Sequence, residues 1–339
     1  MEATDTALTN EKERELVTSL GTAYERLMTE IAKIIVGQRE VLTHMFIALL
    51  CRGHCLLLGV PGLAKTLMTN SLAQVLELGF GRIQFTPDLM PSDITGTDVI
   101  NEDPETGKRQ HEFLPGPIFK NFILADEINR TPPKTQAALL QAMEERHVTV
   151  GRNTYKLPIP FTVMATQNPI ESEGTYVLPE AQLDRFMFCV KVEYPAPDEE
   201  VDVVKSTTGQ GVVTLEKVLG AGDIEILQEY VRGVAVADDV IRYAVRLVGM
   251  TRPDQAELRA ESVAKYVTWG ASPRASQYLI LGGKARALID GRYHVDFEDV
   301  RAMAAPVLRH RLVLNFRSRA DNVDADQVVR DIVVSTPEE

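Results

Sequence analysis

The sequence predicts an α/β fold, a parallel sheet flanked by helices, followed by a smaller C-terminal helical domain. Three observations predict it. Short apolar runs near residues 54–59, 121–126 and 161–166 alternate with stretches of helical periodicity, as strands buried on both faces do. A glycine-bearing loop joins the first run to a helical stretch. Beyond Tyr194-Pro195-Ala196-Pro197 the pattern becomes mostly helical.

The elements follow in order. Residues 1–15 form a polar lead. Residues 16–35 carry Leu16, Leu20, Leu27, Ile31 and Ile34 at helical spacing, and Val36-Gly37-Gln38 breaks that helix before another at 40–52. A strand at 54–59, the glycine loop and a helix at 67–76 come next. Residues 88–117 are rich in Pro, Gly, Asp and Thr and read as loops with short strands. A strand at 121–126, a helix at 133–146, a hairpin at 147–160 turning at Gly151-Arg152-Asn153, and a strand at 161–166 complete the sheet region. Pro195 and Pro197 read as stiffening a linker. Helices are expected at 224–233, 238–249, 276–289 and 297–308. The division is a lead at 1–15, an α/β domain at 16–195, a linker at 196–215 and a helical domain at 216–339.

Composition narrows the class. The chain has 339 residues, 45% hydrophobic and 25% charged, which suits a globular protein of one larger and one smaller domain. Its net charge of −12 opposes non-specific binding to phosphate backbones. A nucleic-acid role would need Lys108, Arg109 and Lys120 to converge. Cys51, Cys55 and Cys189 are odd in number, and no second Cys/His pair follows the first two, so they read as buried thiols. The polar N-terminus does not resemble a signal peptide, and the longest apolar run, 55–60, is too short to span a bilayer. The expected location is cytoplasmic.

Three motifs carry chemistry. Gly59-Val60-Pro61-Gly62-Leu63-Ala64-Lys65-Thr66 lies between a strand and the helix that Leu67 opens. Backbone N–H groups in such a loop converge on phosphates, with the helix dipole in support. Lys65 would reach the β- and γ-phosphates, and Thr66 would offer a hydroxyl to Mg²⁺. Ala64 stands where glycine is usual. If that position is helical the methyl is harmless; if backbone must approach the nucleotide there, affinity falls. Second, an apolar strand ends in Asp126-Glu127. Buried acids there are costly unless a cation or ligand waits, so Asp126 would orient Mg²⁺ and Glu127 would polarise a water as general base. Third, the strand ending Thr166-Gln167-Asn168 offers an amide that can hold that water. Taken singly, each motif could be an ordinary turn; their order favours a nucleotide site.

Longer segments are more specific. Gly174-Thr175-Tyr176-Val177-Leu178-Pro179-Glu180-Ala181-Gln182-Leu183-Asp184-Arg185-Phe186, the run from Gln84-Phe85-Thr86-Pro87 to Gly96, and Ala125-Asp126-Glu127-Ile128-Asn129-Arg130-Thr131-Pro132 resemble signatures of the MoxR family of AAA+ ATPases. The resemblance spans about residues 34–312. It implies a P-loop AAA+ core with a hairpin insert in its second helix (about 93–117) and a helical lid. It also implies Arg185 as an arginine finger, Arg274 as a lid arginine contacting the γ-phosphate, and Val36 and Gln38 beside the adenine. ATP and Mg²⁺, a ring, commonly hexameric, and chaperone-like remodelling of client proteins with a von Willebrand factor A domain partner are further implications. Phe113 could grip a client from the insert or pack at the hairpin base. Two other functions stay open: an ATP-dependent nucleic-acid motor, and a nucleotide-gated module with little turnover.

Overall fold

The computed structural model describes residues 15, 17–102, 109–168, 174–209, 213–254 and 260–338. Most of the polar lead, including residues 1–14, lies outside them, as do Leu16, Lys108 and Pro169.

Helix α1 (Leu20–Ala32) buries Leu20, Leu27 and Ile31 completely on one stripe. Gly37 and Gln38, both in the left-handed region, turn the chain into α2 (Arg39–Leu50), which is buried along most of its length. Strand β1 (Cys55–Leu58) leads through the glycine loop into α3 (Lys65–Val75), and β2 (Phe80–Gln84) follows. Then come the short α4 (Pro91–Thr95) and an antiparallel hairpin of β3 (Gly96–Glu102) and β4 (Arg109–Pro115). Next are β5 (Phe122–Asp126), α5 (Pro133–Glu145) and a second hairpin, β6 (His147–Val150) with β7 (Asn153–Lys156). Val150 pairs with Asn153, so its turn is Gly151-Arg152 alone. Strand β8 (Thr162–Gln167), α6 (Glu180–Leu183) and β9 (Phe188–Lys191) complete this part.

The central sheet is wholly parallel, in the order β2-β5-β8-β1-β9. Its β1, β5 and β8 are buried almost throughout, as a sheet covered on both faces requires. Parallel order puts every C-terminal strand end on one edge: Leu58, Asp126 and Gln167 open there together.

The proline-flanked stretch read as a linker is helix α7 (Pro197–Thr208) over most of its length. Pro197 sits in the first turn, where its missing N–H costs nothing, and Asp198, Glu199 and Glu200 complement the helix dipole. The remaining chain folds as α8 (Ala221–Gly233), α9 (Asp238–Gly249), α10 (Glu261–Tyr266), α11 (Pro273–Ile289), α12 (Phe297–Leu308), α13 (Phe316–Ala320) and α14 (Ala325–Ser335). Two short strand pairings brace it, Ala235–Val236 with His294–Val295 and Val267–Trp269 with Val313–Leu314. These helices share one apolar core with α1, α2 and α3, through residues such as Leu27, Phe46, Leu279 and Val300. A second core, with Ile123, Leu139 and Val163, fills the opposite face of the sheet.

Candidate active site

The loop after β1 begins where Gly59 presses on the neighbouring strand: a Cβ there would stand 2.8 Å from the Val192 carbonyl oxygen. Gly62, at φ +88°, faces open space, so its backbone is free to approach a ligand. Ala64 has φ 55° and ψ 20°, the left-handed region. Neither ordinary helical geometry nor a harmless methyl describes it, because an L-residue there costs about 1–2 kcal/mol. Residues 61–67 then line a cavity of about 360 Å³ together with Asp126, Glu127, Thr166 and Asn168. The sheet thus gathers the three motifs on one edge. Gly59 and Val60 sit at the loop's entry, and Leu67 is exposed at the helix start.

Within the cavity the side chains hold one another. Lys65 Nζ donates to the carbonyl oxygens of Gly59 and, at 3.1 Å, Val60. Burial lowers its pKa, opposed by the nearby charges of Asp126 and Glu127. Asp126 accepts from Thr166 Oγ1 at 2.7 Å and from Arg82 Nη2 at 2.7 Å. Glu127 is itself left-handed, at φ 57°, and its N–H donates to Thr166 Oγ1 at 2.8 Å. Its carboxylate accepts from Gln84 Nε2 and pairs with Arg130 Nε, both at 3.1 Å. Asn168 is buried at the tip of β8. Thr66 and Asp126 face the same space, and an all-oxygen pair suits a hard divalent cation that keeps much of its water. Among the described residues no group of three or more His, Cys, Asp or Glu could hold a metal ion.

Arg82, Gln84, Arg130 and Thr166 were not singled out from sequence. Gln84 pairs in register with Asp126 across β2 and β5, a neighbourhood that only strand order reveals.

Val36 and Gln38 lie to one side. Gln38 Nε2 donates to the Glu193 carbonyl oxygen at 2.8 Å and lines a second cavity of about 350 Å³ with His44, Lys191 and Arg309. Val36 is half-buried and lines neither cavity.

Arg185 and Arg274 are elsewhere. Arg185 precedes β9, whose first residue, Phe188, pairs with Cys55 at the start of β1, so it occupies the N-terminal edge of the sheet. At about 3.3 Å per residue, β1 alone puts roughly 10 Å between that edge and the phosphate loop. Arg185 pairs with Glu144 at 2.8 Å, and Arg274, in the first turn of α11, shares the same carboxylate at 3.4 Å. Neither arginine lines the phosphate cavity.

At the base of the first hairpin Phe113 stacks on Tyr155, ring centroids 4.0 Å apart, while Ile100 and Leu114 point outward. Packing therefore accounts for Phe113, leaving Ile100 and Leu114 as exposed large apolar residues of the insert among the described residues. Lys120 adjoins Gly79 and Gly81, near the N-terminal end of β2. All three cysteines are buried and free, as expected.

This sheet order, with an acid pair beside a phosphate loop and a helical lid, defines the AAA+ class of P-loop ATPases. Residues 54–188 match the family described as "ATPase family associated with various cellular activities (AAA)", and residues 259–332 match the AAA lid domain. Chaperone MoxR1 of Mycobacterium tuberculosis is 44% identical over 91% of this chain and 80% of its own length. Protein MoxR of Paracoccus denitrificans is 32% identical over 83% of this chain and 86% of its own. The crystal structure of a candidate ATPase from Cytophaga hutchinsonii superposes with a TM-score of 0.87 at 38% identity, covering 96% of this chain and 98% of that one. The chain belongs to the MoxR family of AAA+ ATPases.

Proposed function

We propose that this protein hydrolyses ATP with Mg²⁺ as a ring-forming, chaperone-like remodeller of client proteins. The observation that carries the reading is the split site: Lys65, Asp126, Glu127 and Asn168 share one cavity, while Arg185 stands on the opposite edge of the sheet. A finger so placed serves a second copy's nucleotide, which calls for a ring, a hexamer in this reading. Arg274, on the same carboxylate, would serve that neighbour too.

In this mechanism the backbone N–H groups of the loop 59–66, Pro61 excepted, and the Lys65 ammonium bind the phosphates. Thr66 and Asp126 would hold the cation, which would neutralise phosphate charge. Glu127 takes a proton from the attacking water, and Asn168 orients that water. Val36 and Gln38 would border the adenine. Arg185 from the neighbour stabilises charge on the transferring phosphoryl oxygens. Exposed Ile100 and Leu114 on the insert would contact a client. A protein with a von Willebrand factor A domain is the expected partner, and the cytoplasm the expected location. Among the described residues no helix is long and apolar enough to cross a membrane.

Glu127→Gln tests the reading. The variant should retain ATP and release almost no phosphate; turnover at the parent rate would overturn the general-base assignment. A nucleotide-gated module with little turnover is the second reading, favoured by the strained Ala64 and by the grip of Gln84 and Arg130 on Glu127. It predicts that the parent protein already behaves like the variant.

A further inference from the structure

Between α6 and β9 the chain from Asp184 to Met187 forms no regular element. Buried carbonyls in such a stretch need donors from elsewhere. Here the lid supplies them all. Arg311 is the hub, its side chain only 2% exposed. Its Nη2 donates to the carbonyl oxygens of Asp184 at 2.9 Å and Phe186 at 2.6 Å, and its Nη1 to those of Met187 at 3.3 Å and Val307. Its Nε donates to Asp184 Oδ1 at 2.8 Å. His310 Nε2 shares the Phe186 carbonyl at 3.1 Å. Tyr278, whose ring lies 5.1 Å beneath the Arg311 guanidinium, reaches the carbonyl of Arg185 itself at 3.5 Å. Ser272, the N-cap of α11, donates to the Asp184 carboxylate at 3.0 Å.

The backbone on each side of Arg185 is therefore bonded to lid residues, whereas the guanidinium of Arg185 is half-buried on Glu144. We propose that Arg311 is the positioning residue for Arg185. It fixes the segment Asp184–Met187 to the lid, so the finger of one subunit moves with that subunit's own lid. The nucleotide state of one site is thereby passed to the next subunit's site through the Arg311 side chain and the backbone beside Arg185. Arg311 touches no substrate and acts only through Arg185. The proposal rests on reading Arg185 as a finger that serves a neighbour.

Arg311→Lys tests it, because lysine keeps the charge but loses the planar fork that spans several carbonyls at once. Rings of this variant should bind ATP as the parent does and turn it over about 100-fold more slowly, the scale of a misplaced catalytic group. The deciding readout is mixing. Arg311→Lys subunits keep a good phosphate loop, and Lys65→Ala subunits keep a good finger. Mixed rings should therefore turn over ATP well above the sum of the two separate proteins. No recovery would overturn the proposal, since a residue serving its own site or general stability cannot be supplied by a neighbour. Arg185→Ala mixed with Lys65→Ala is the control: if that pair fails to recover, the finger reading itself falls. If it recovers and the Arg311 pair does not, only the positioning role falls. Should Arg311→Lys fold poorly, Asp184→Asn decides. It removes the charge that Arg311 meets at constant size, and it should show a smaller loss with the same recovery on mixing; parental turnover would count against the proposal.

Discussion

The two edges of the sheet are built in opposite ways. At the C-terminal edge, Lys65, Asp126 and Glu127 sit around an open cavity; Lys65 is held by the Gly59 and Val60 carbonyls, Asp126 by Arg82 and Thr166, and Glu127 by Gln84, Arg130 and Thr166. At the N-terminal edge there is no comparable freedom: Asp184 to Met187 is stitched to the lid through backbone carbonyls and the nearly inaccessible Arg311. On the α/β side of the same edge His54 accepts from the Val163 N–H at 3.0 Å and donates to the Met143 carbonyl at 3.2 Å, and its own carbonyl accepts from the Met187 N–H at 2.8 Å. The difference teaches where chemistry and transmission divide. On our proposal the groups that meet the nucleotide are held by side-chain contacts, and the segment that would deliver Arg185 to another subunit is held through its backbone.

Breaking one edge at a time sharpens the contrast. Arg185→Ala should give the largest effect, a loss of turnover of about 10³-fold or more with ATP affinity little changed, read by phosphate release beside nucleotide titration. Glu127→Gln should lower turnover by about 10²- to 10⁴-fold while retaining ATP. If both variants lost ATP binding as well, the separation of edges would be wrong. Acid should act through the buried histidines, His54 and His310 at the N-terminal edge among them. Burial holds His54 and His310 well below the ordinary histidine value of 6.5, aided by Arg146 beside His54 and Arg311 beside His310. Their folded-state affinity for protons is depressed, so the unfolded chain takes up protons first. Stability is complete above pH 6.5 and falls below it, by up to about 1.4 kcal/mol per pH unit for each histidine. Denaturant midpoints between pH 7.5 and 5 would show this, and a flat profile would contradict it. The smallest effect belongs to the other edge: Ala64→Gly should relieve the left-handed strain and stabilise the protein by about 1 kcal/mol in the same denaturant assay. A destabilised glycine variant would mean that the loop's tension lies elsewhere.

Much of this was legible in the residues. Apolar runs ending in Asp126-Glu127 and Asn168, and a glycine loop before Lys65, mark strand ends locally, because burial and turn chemistry act within a few residues. What could not be read depends on distant neighbours. Gln84 and Arg82 reach the acid pair only because β2 lies beside β5, and no local pattern states strand order. The left-handed Ala64 is held by the folded loop against the residue's own preference. Helix α7 is not legible locally, because Pro195 and Pro197 mark a linker and a helix's first turn equally well. Arg311 carries no motif at all; its role emerges only where the lid meets the segment before β9.

The central claim is that each ATP site is completed by the neighbouring subunit. ATP turnover per subunit, measured with Mg²⁺ across a wide range of protein concentration, tests it most directly. The account predicts a rate that rises with concentration and then levels as rings form. A rate per subunit that is substantial and constant down to the monomer would contradict it.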